Sequence, residues 1–150
     1  MSNLSSENPR GTTSHVADRL HSAAIRLLRS LRVEDTKAGV GPARLSALSV
    51  LVFAGPQSLG SLARMEQVQP PTMSRLVTGM VRDGLVKRHA AGSDRRRISL
   101  EATKKGTSVL QKARRRRIEM LASNLKQLKP QEIAILGEAA ELILGLAHKS

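Results

Sequence analysis

The stretch from Gln69 to Thr103 limits the possible folds more than any other part of the chain. It begins as a helical pattern that opens on two prolines, PPTMSRLVTGMVRDGLV, and continues as a basic segment, KRHAAGSDRRRISLEAT. Proline suits the first turn of a helix, where no intrahelical partner is lost. Apolar residues then recur at helical spacing, at Met73, Leu76, Val77 and Met80. Gly84 is typical of the left-handed residue that ends a helix, so we predict a helix from Pro70 to about Asp83.

Two short strands are predicted after this helix, at about Leu85–Ala90 and Arg96–Leu100, with Gly92 in the turn. Their alternation of apolar and polar residues is imperfect, and the prediction depends on β-branched content and on context. A helix followed by an arginine-tipped hairpin has the shape of a DNA reader. The helix can enter a major groove while the hairpin tip reaches the neighbouring minor groove or the backbone.

Three helical patterns precede this unit. Thr13 or Ser14 is expected to cap the first helix, whose apolar stripe fades near Glu34. The second helix begins at Pro42 and is stopped by the Gly55-Pro56 pair, and Ser58 can cap a short third helix. The third helix, a turn and the fourth helix together make a helix-turn-helix.

Two further helices are predicted after the hairpin. Thr103 is expected to cap a long basic helix that runs to about Leu128, and Pro130 begins the last helix. Apolar residues lie on more than one face of the last helix, and a helix of this kind cannot remain exposed. We expect it to pack in a dimer interface with the first and fifth helices. The alternative is a core helix of a monomer.

The net charge of +13 and the pI near 11.5 are extreme for 150 residues. Most of the charge lies between Leu85 and Arg117, where Asp94 and Glu101 are the only acidic residues. Such a field favours a polyanionic partner, most often nucleic acid. The run from Arg114 to Arg117 is interpreted mainly as a solvated face, because successive helix residues step about 100° around the axis.

Several classes of protein are excluded by what the sequence lacks. It contains no cysteine, which removes disulfides, thiol redox sensing and zinc–cysteine sites. No apolar run could span a membrane and no signal-peptide core is present, so we expect a cytoplasmic chain. The single aromatic residue, Phe53, argues against RNA readers that stack bases on aromatic side chains. No metal-ligand spacing or catalytic constellation occurs, and we expect no metal, no cofactor and no enzyme activity.

Three local patterns carry a family resemblance. Thr72–Val77 followed by Asp83–Arg88 resembles the reading helix of the MarR family of bacterial winged-helix regulators and the exit from that helix. Asp94-Arg95-Arg96 resembles the wing signature of this family. Thr103-Lys104-Lys105-Gly106 resembles the start of its fifth helix. The three patterns occur in register, and the resemblance extends from about Ser14 to His148.

The resemblance implies a mainly α fold with a small β-hairpin wing (α+β), a winged helix-turn-helix flanked by N- and C-terminal dimerisation helices. Residues 1–13 lack periodicity and are expected to form a disordered tail. Residues 14–150 are expected to form one domain, with dimerisation helices at 14–33 and 103–148 and a winged lobe at 42–102. The implied function is a sequence-specific regulator, a repressor, that binds a pseudo-palindromic operator in double-stranded DNA as a homodimer. Release by a small aromatic or lipophilic effector is also expected.

Site residues are predicted on the reading helix and in the wing. Short or forked polar groups near the positive end of a helix suit phosphates and base edges. The reading-helix set is Gln69, Pro71, Thr72, Ser74, Arg75 and Thr78. Arg75 can fork to guanine in the major groove, or it contacts phosphate or stays solvated. In the wing, Asp94 is expected to orient Arg96 toward the minor groove, and Arg95 is expected to contact phosphate.

Phosphate contacts and dimer contacts are also predicted, and one rival function is left open. Phosphate contacts are predicted for Ser58, Lys104 and Lys105, and Thr78 is expected to reach the DNA backbone. The predicted dimerisation residues are Leu20, Leu136, Leu142 and Leu146. The rival function is a sequence-tolerant architectural or RNA-binding basic protein. It explains the charge equally well, but it explains neither the polar first turn of the reading helix nor the apolar last helix.

Overall fold

The computed structural model describes residues 12–37, 39–91 and 94–147; the side chains of residues 91–97 and 147 lie outside that description. Within these ranges the chain forms six helices and one hairpin. They are α1 (Thr13–Lys37), α2 (Pro42–Phe53), α3 (Leu59–Met65), α4 (Pro70–Arg82), β1 (Val86–Ala91), β2 (Asp94–Ala102), α5 (Lys104–Leu125) and α6 (Pro130–Ala147). The predicted mainly α fold with a small β-hairpin is confirmed.

The chain divides into two compact units, residues 1–113 and residues 114–150. The first unit contains α1 to α4, the hairpin and the first part of α5. The second contains the remainder of α5 and all of α6. Residues 1–11 of the expected tail lie outside the description, and Thr13 already belongs to α1. The cap expected at Thr13 or Ser14 is instead supplied by Thr12, whose hydroxyl accepts from the His15 N–H at 3.3 Å.

The core of the first unit lies where α2, α3, α4, the hairpin and the start of α5 meet. Its largest fully buried side chains are Leu45, Leu48, Leu62, Met73, Met80, Leu100, Val77 and Val86. Full burial of one such side chain stabilises a fold by about 1.5–3 kcal/mol. Because α4 contributes Met73, Val77 and Met80, its orientation is fixed by the same core that holds α2 and α3.

The ends of the central helices follow the predicted signals. Pro42 and Pro70 each begin a helix, and the Ser58 hydroxyl caps α3 by accepting from the Ser61 amide at 3.1 Å. Gly84 has a φ of +73°, the left-handed conformation expected just after α4. The Thr103 hydroxyl accepts from the Gly106 amide at 3.0 Å and caps α5, as predicted.

The hairpin is longer than predicted. The strands pair antiparallel from Val86↔Ala102 to Ala90↔Ile98, with a register shift between Ala90 and Ala91. A bridge to Gln57 joins β2 from the other side, with Gln57 N–H donating to Leu100 O at 3.0 Å and Leu100 N–H donating back at 2.8 Å. These backbone bonds attach the hairpin to the segment before α3. The strands themselves extend to Ala91 and from Asp94 to Ala102, beyond the stretch that side-chain alternation indicated.

Three details of the helices differ from the predictions. The first helix does not fade near Glu34 but runs to Lys37, whose Nζ lies 2.7 Å from Glu34 Oε1 and supports the last turn. The fifth helix ends at Leu125 rather than near Leu128, because the chain turns before α6. Phe53 continues the helical spacing of Leu45, Leu48 and Val52, which predicts burial, yet it is 71% exposed, since it lies in the last turn of α2, beyond the core.

Candidate nucleic-acid interface

The predicted reading residues lie together on the side of α4 that faces away from the core. Helical periodicity buries Met73, Val77 and Met80, and it leaves the opposite face in solvent. Gln69, Pro71, Thr72, Arg75 and Thr78 are exposed there, and Ser74 is half-buried. This polar surface of α4, formed by the six predicted residues, is called the reading face below.

Side chains rather than backbone amides supply most hydrogen-bond donors at the start of the reading face. Pro70 and Pro71 carry no N–H, and the Thr72 N–H already donates to Gln69 O at 3.0 Å. Gln69, the residue before the helix, makes no side-chain cap. A bound anion or base edge would therefore be met by the Thr72 hydroxyl and the Arg75 guanidinium, aided by the positive end of the helix dipole.

The hydroxyl of Thr78 is already engaged within the protein. It donates to Ser74 O at 2.8 Å and accepts from Arg88 Nη2 at 3.3 Å. A hydroxyl has one proton, and a phosphate oxygen can only accept. In this arrangement Thr78 has no proton for the DNA backbone, although its predicted position on the reading face is found. Arg88 was missed from the sequence, because it reaches α4 from a different element, β1.

The end of α4 is joined to the first turn of α5 through three backbone carbonyls. Asp83 O accepts from Lys105 Nζ at 2.8 Å, Gly84 O accepts from Thr103 Oγ1 at 2.6 Å, and Leu85 O accepts from the Thr103 N–H at 3.0 Å. These are carbonyls that the helix itself leaves unsatisfied or that lie just beyond it. The start of α5 thus fixes where the reading helix ends. Lys105, predicted as a phosphate contact, uses one of its three donors here, and Lys104 is exposed.

Gly106 allows this close approach. A Cβ built at this position would overlap the Leu85 carbonyl oxygen and would lie 2.9 Å from Leu48 Cδ2. The residue is buried, so neither neighbour has space to withdraw. The pattern Thr103-Lys104-Lys105-Gly106 therefore has a structural reason, since it provides a cap, a carbonyl donor and a residue without a side chain.

An ion pair joins the end of α4 to the start of α2. Arg44 Nη1 lies 2.6 Å from Asp83 Oδ2, and the same guanidinium lies against Gly79, where a Cβ would be 2.7 Å from Arg44 Nη2. The hydrogen bond from Arg44, followed by the one from Arg82, holds the pKa of the Asp83 carboxyl below its usual value. Sequence reasoning missed this pair, because its members are 39 residues apart.

The base of the hairpin carries a charge cluster on one face. Lys87 Nζ lies 3.1 Å from Glu101 Oε2, and His89 Nδ1 lies 3.7 Å from the same oxygen. Lys87 is thus partly neutralised. The predicted wing residues Asp94, Arg95 and Arg96 belong to β2, but their side chains lie outside the described ones, and the proposed Asp94–Arg96 contact stays a prediction.

A cleft with a volume of about 360 Å³ opens beside the first turns of α4. Its lining is mainly apolar, with three polar side chains. The lining residues are Ala43, Glu66, Val68, Thr72, Met73, Arg75 and Leu76. Because Thr72 and Arg75 belong to both the cleft and the reading face, a molecule in the cleft would contact residues predicted to bind DNA.

The predicted dimerisation residues are all exposed. Leu20 is 37% exposed, and Leu136, Leu142 and Leu146 on α6 are 47–71% exposed. In α6, no described residue is buried. The dimer interface for these residues stays a prediction, as does the alternative of a core helix in a monomer.

Two further observations concern other kinds of site. Across the described ranges, no group of three or more His, Cys, Asp or Glu side chains is arranged to hold a metal ion. In the same part of the chain, no helix has the length and apolar character needed to cross a membrane.

Comparison with known proteins places this geometry in a family. Residues 42–98, which span α2 to most of the hairpin, match the MarR family model. The HTH-type transcriptional regulator Mb0904 of Mycobacterium bovis is 36% identical over 135 residues, or 90% of this chain and 94% of that protein. The regulator ML2140 of Mycobacterium leprae is 35% identical over the same shares of both chains.

Solved structures agree on the fold. RV1404 from Mycobacterium tuberculosis superposes with a TM-score of 0.75 at 24% identity, covering 89% of this chain and 93% of the other. The S. aureus MepR F27L mutant, solved bound to an oligodeoxyribonucleotide, gives 0.68 at 16% identity, covering 88% and 97%. The relatives in sequence are named as regulators, which confirms that the chain is not an enzyme. The resemblance seen in the reading helix, wing and α5 motifs is confirmed, and the chain belongs to the MarR family of helix-turn-helix transcriptional regulators, which bind DNA.

Proposed function

We propose that this chain is a repressor that binds a pseudo-palindromic operator as a homodimer and is released by a small-molecule effector. The reading face is the observation that supports sequence recognition. It presents forked and short polar side chains in solvent while the core holds the helix from behind. Such groups can distinguish base edges in a major groove, whereas a basic surface alone cannot.

The exposed apolar surface of α6 supports the homodimer. Leu142 and Leu146 are 71% and 59% exposed, and large side chains at this density are uncommon on the surface of a monomer. A two-fold dimer buries the same surface of both copies. It also presents two reading faces, which requires half-sites about one helical turn apart and hence a near-palindrome.

The cleft beside Arg75 supports effector release. A small aromatic or lipophilic molecule would bury apolar surface against Val68, Met73 and Leu76 while it occupied space next to Arg75. Such a ligand would favour the DNA-free state to the extent that it binds that state more tightly. Repression then follows from operator occupancy in the absence of the ligand.

A titration on DNA tests the proposal. Binding to the DNA upstream of the protein's own reading frame is compared with binding to a scrambled duplex at about 150 mM salt, where the screening length is near 8 Å. We expect a preference of about a thousandfold or more, with a protected near-palindrome. A genome-wide selection of bound sequences extends the test to operators elsewhere.

Equal and strongly salt-dependent binding to all sequences would contradict the proposal. That outcome would favour the sequence-tolerant architectural or RNA-binding function, because phosphate contacts alone weaken steeply with salt and ignore sequence.

Adding candidate aromatic acids and lipophilic amines to the operator complex then tests release of the DNA by an effector. A complex that no such ligand dissociates would contradict the effector component alone.

A further inference from the structure

Arg88 lies on a different face of the hairpin from the other basic residues of β1. Side chains alternate along a strand, so Lys87 and His89 share one face and Arg88 lies on the other. The register pairs Lys87 with Glu101 and Arg88 with Leu100. Leu100 is buried in the core, whereas Arg88 is exposed. The stem of Arg88 therefore starts from the side of the hairpin that packs toward α4.

The guanidinium of Arg88 is held at the edge of the reading face. Its Nη2 donates to Thr78 Oγ1 at 3.3 Å, and Thr78 is in turn oriented by its bond to Ser74 O at 2.8 Å. An arginine has five N–H donors. Within the described part of the chain Thr78 is its hydrogen-bond partner, and no other acceptor there engages its remaining donors. Arg88 thus keeps a full positive charge beside α4.

Lys87, the residue before Arg88, is instead paired with a carboxylate. Its ammonium lies 3.1 Å from the Glu101 carboxylate, which also lies 3.7 Å from His89. Both residues are basic and exposed, but among the described side chains only Lys87 has an acidic partner. This difference makes Lys87 a matched control for Arg88.

We propose that Arg88 binds the DNA phosphate backbone between the two grooves and that Thr78 is its positioning residue. The inference rests on the proposed arrangement in which α4 enters a major groove and the hairpin tip approaches the adjacent minor groove. The sugar–phosphate strand separates those two grooves. A cation held between α4 and the hairpin therefore faces phosphate, which a guanidinium binds through paired N–H donors.

Thr78 has a positioning role in this arrangement rather than a DNA contact of its own. Its single proton is used by Ser74 O, and its accepting lone pair fixes Arg88. Thr78 acts on DNA through Arg88 and not by its own contact. Removing its hydroxyl should then matter only when Arg88 is present.

Salt-dependent DNA binding of four variants tests the proposal: Arg88→Ala, Lys87→Ala, Thr78→Val and the double variant Thr78→Val/Arg88→Ala. Arg88→Ala should weaken binding about tenfold, as expected for a charge-assisted hydrogen bond, and by the same factor on operator and scrambled duplexes. Its slope of log K against log salt should fall by about one. Lys87→Ala should change the slope much less. Thr78→Val should weaken binding by a smaller factor and should add nothing to Arg88→Ala.

Each part of the proposal has a result that would overturn it. An unchanged slope in Arg88→Ala, with a folded protein by thermal melting, overturns the phosphate contact. A loss confined to one base pair means that Arg88 reads a base and also overturns it. Additive effects in the double variant overturn the positioning role of Thr78. Failure of the proposed function is seen separately, as a wild-type protein without operator preference, because the slope is still measurable on the scrambled duplex.

Discussion

Single residues determine both the position of α4 in the fold and the side chains that it can present to DNA. Arg75 is the residue of the reading face that we expect to recognise a base, and it also lines the adjacent cleft. Gly106 and Asp83 stabilise the C-terminal end of α4, Gly106 by its close contact with Leu85 and Asp83 by its ion pair with Arg44.

Replacement of Arg75 by Ala should cost about 1–3 kcal/mol of operator binding and relax the preference at one base position. The reason is that a forked guanidinium distinguishes guanine from other bases. Competition binding on operators with single-base changes measures both effects. A loss of equal size on every duplex would instead identify Arg75 as a phosphate contact.

Gly106→Ala should destabilise the fold by about 1–3 kcal/mol, the usual cost of overpacking. The new methyl group would overlap the Leu85 carbonyl, and the backbone cannot move away without breaking its bond to Thr103. Urea denaturation measures the change. Gly60→Ala in α3 is the matched control, since a Cβ there meets nothing within 4 Å, and it should leave stability equal or higher.

The contribution of Asp83 to stability should depend on pH. Its pKa is lowered in the folded chain by hydrogen bonds from Arg44 and Arg82, so its stabilising effect is present above the unfolded pKa of about 3.9. The effect is lost as pH falls through the folded value. The stability gap between wild type and Asp83→Asn should therefore be larger at neutral pH than at about pH 3. Equal gaps at the two pH values, by urea denaturation, would show that the carboxylate charge is not involved.

Helices were easier to predict than the contacts between them. The starts of α2 and α4 follow from proline, and the end of α4 follows from Gly84, because these signals are local. The Gln57–Leu100 bridge has no local signal, since one residue pairs with a strand far along the chain. The exposed positions of the reading residues followed from helical periodicity. Arg88 did not, because its approach to α4 depends on hairpin geometry.

At the level of elements, the cap of α5 should also stabilise the end of α4. Thr103→Val removes a hydroxyl that accepts from the Gly106 N–H and donates to Gly84 O. We expect a loss of about 1–2 kcal/mol, near the upper range for an N-cap. Urea denaturation measures it, with Ser108→Ala at an exposed position of the same helix as control. A loss no larger than that of the control would mean that neither bond contributes.

The whole molecule needs a second copy if the proposed operator is a near-palindrome. Replacing Leu142 and Leu146 with Glu should abolish dimers and weaken operator binding together, because charges would be buried in the proposed apolar interface. Light scattering gives the mass, and the operator titration gives the affinity. Gln131→Glu, an exposed position on the same helix, is the control. An unchanged dimer mass would contradict the assignment of α6 to the interface.

The link between α4 and α5 also determines how mutations affect the chain. Its acceptors are the backbone carbonyls of residues 83–85, which every amino acid carries, whereas two of its donors are the side chains of Thr103 and Lys105. Genetic change can therefore remove the link from the α5 side far more readily than from the α4 side. The exposed side chains of the reading face can therefore vary toward new operators without removing this link, as long as the first turn of α5 is kept.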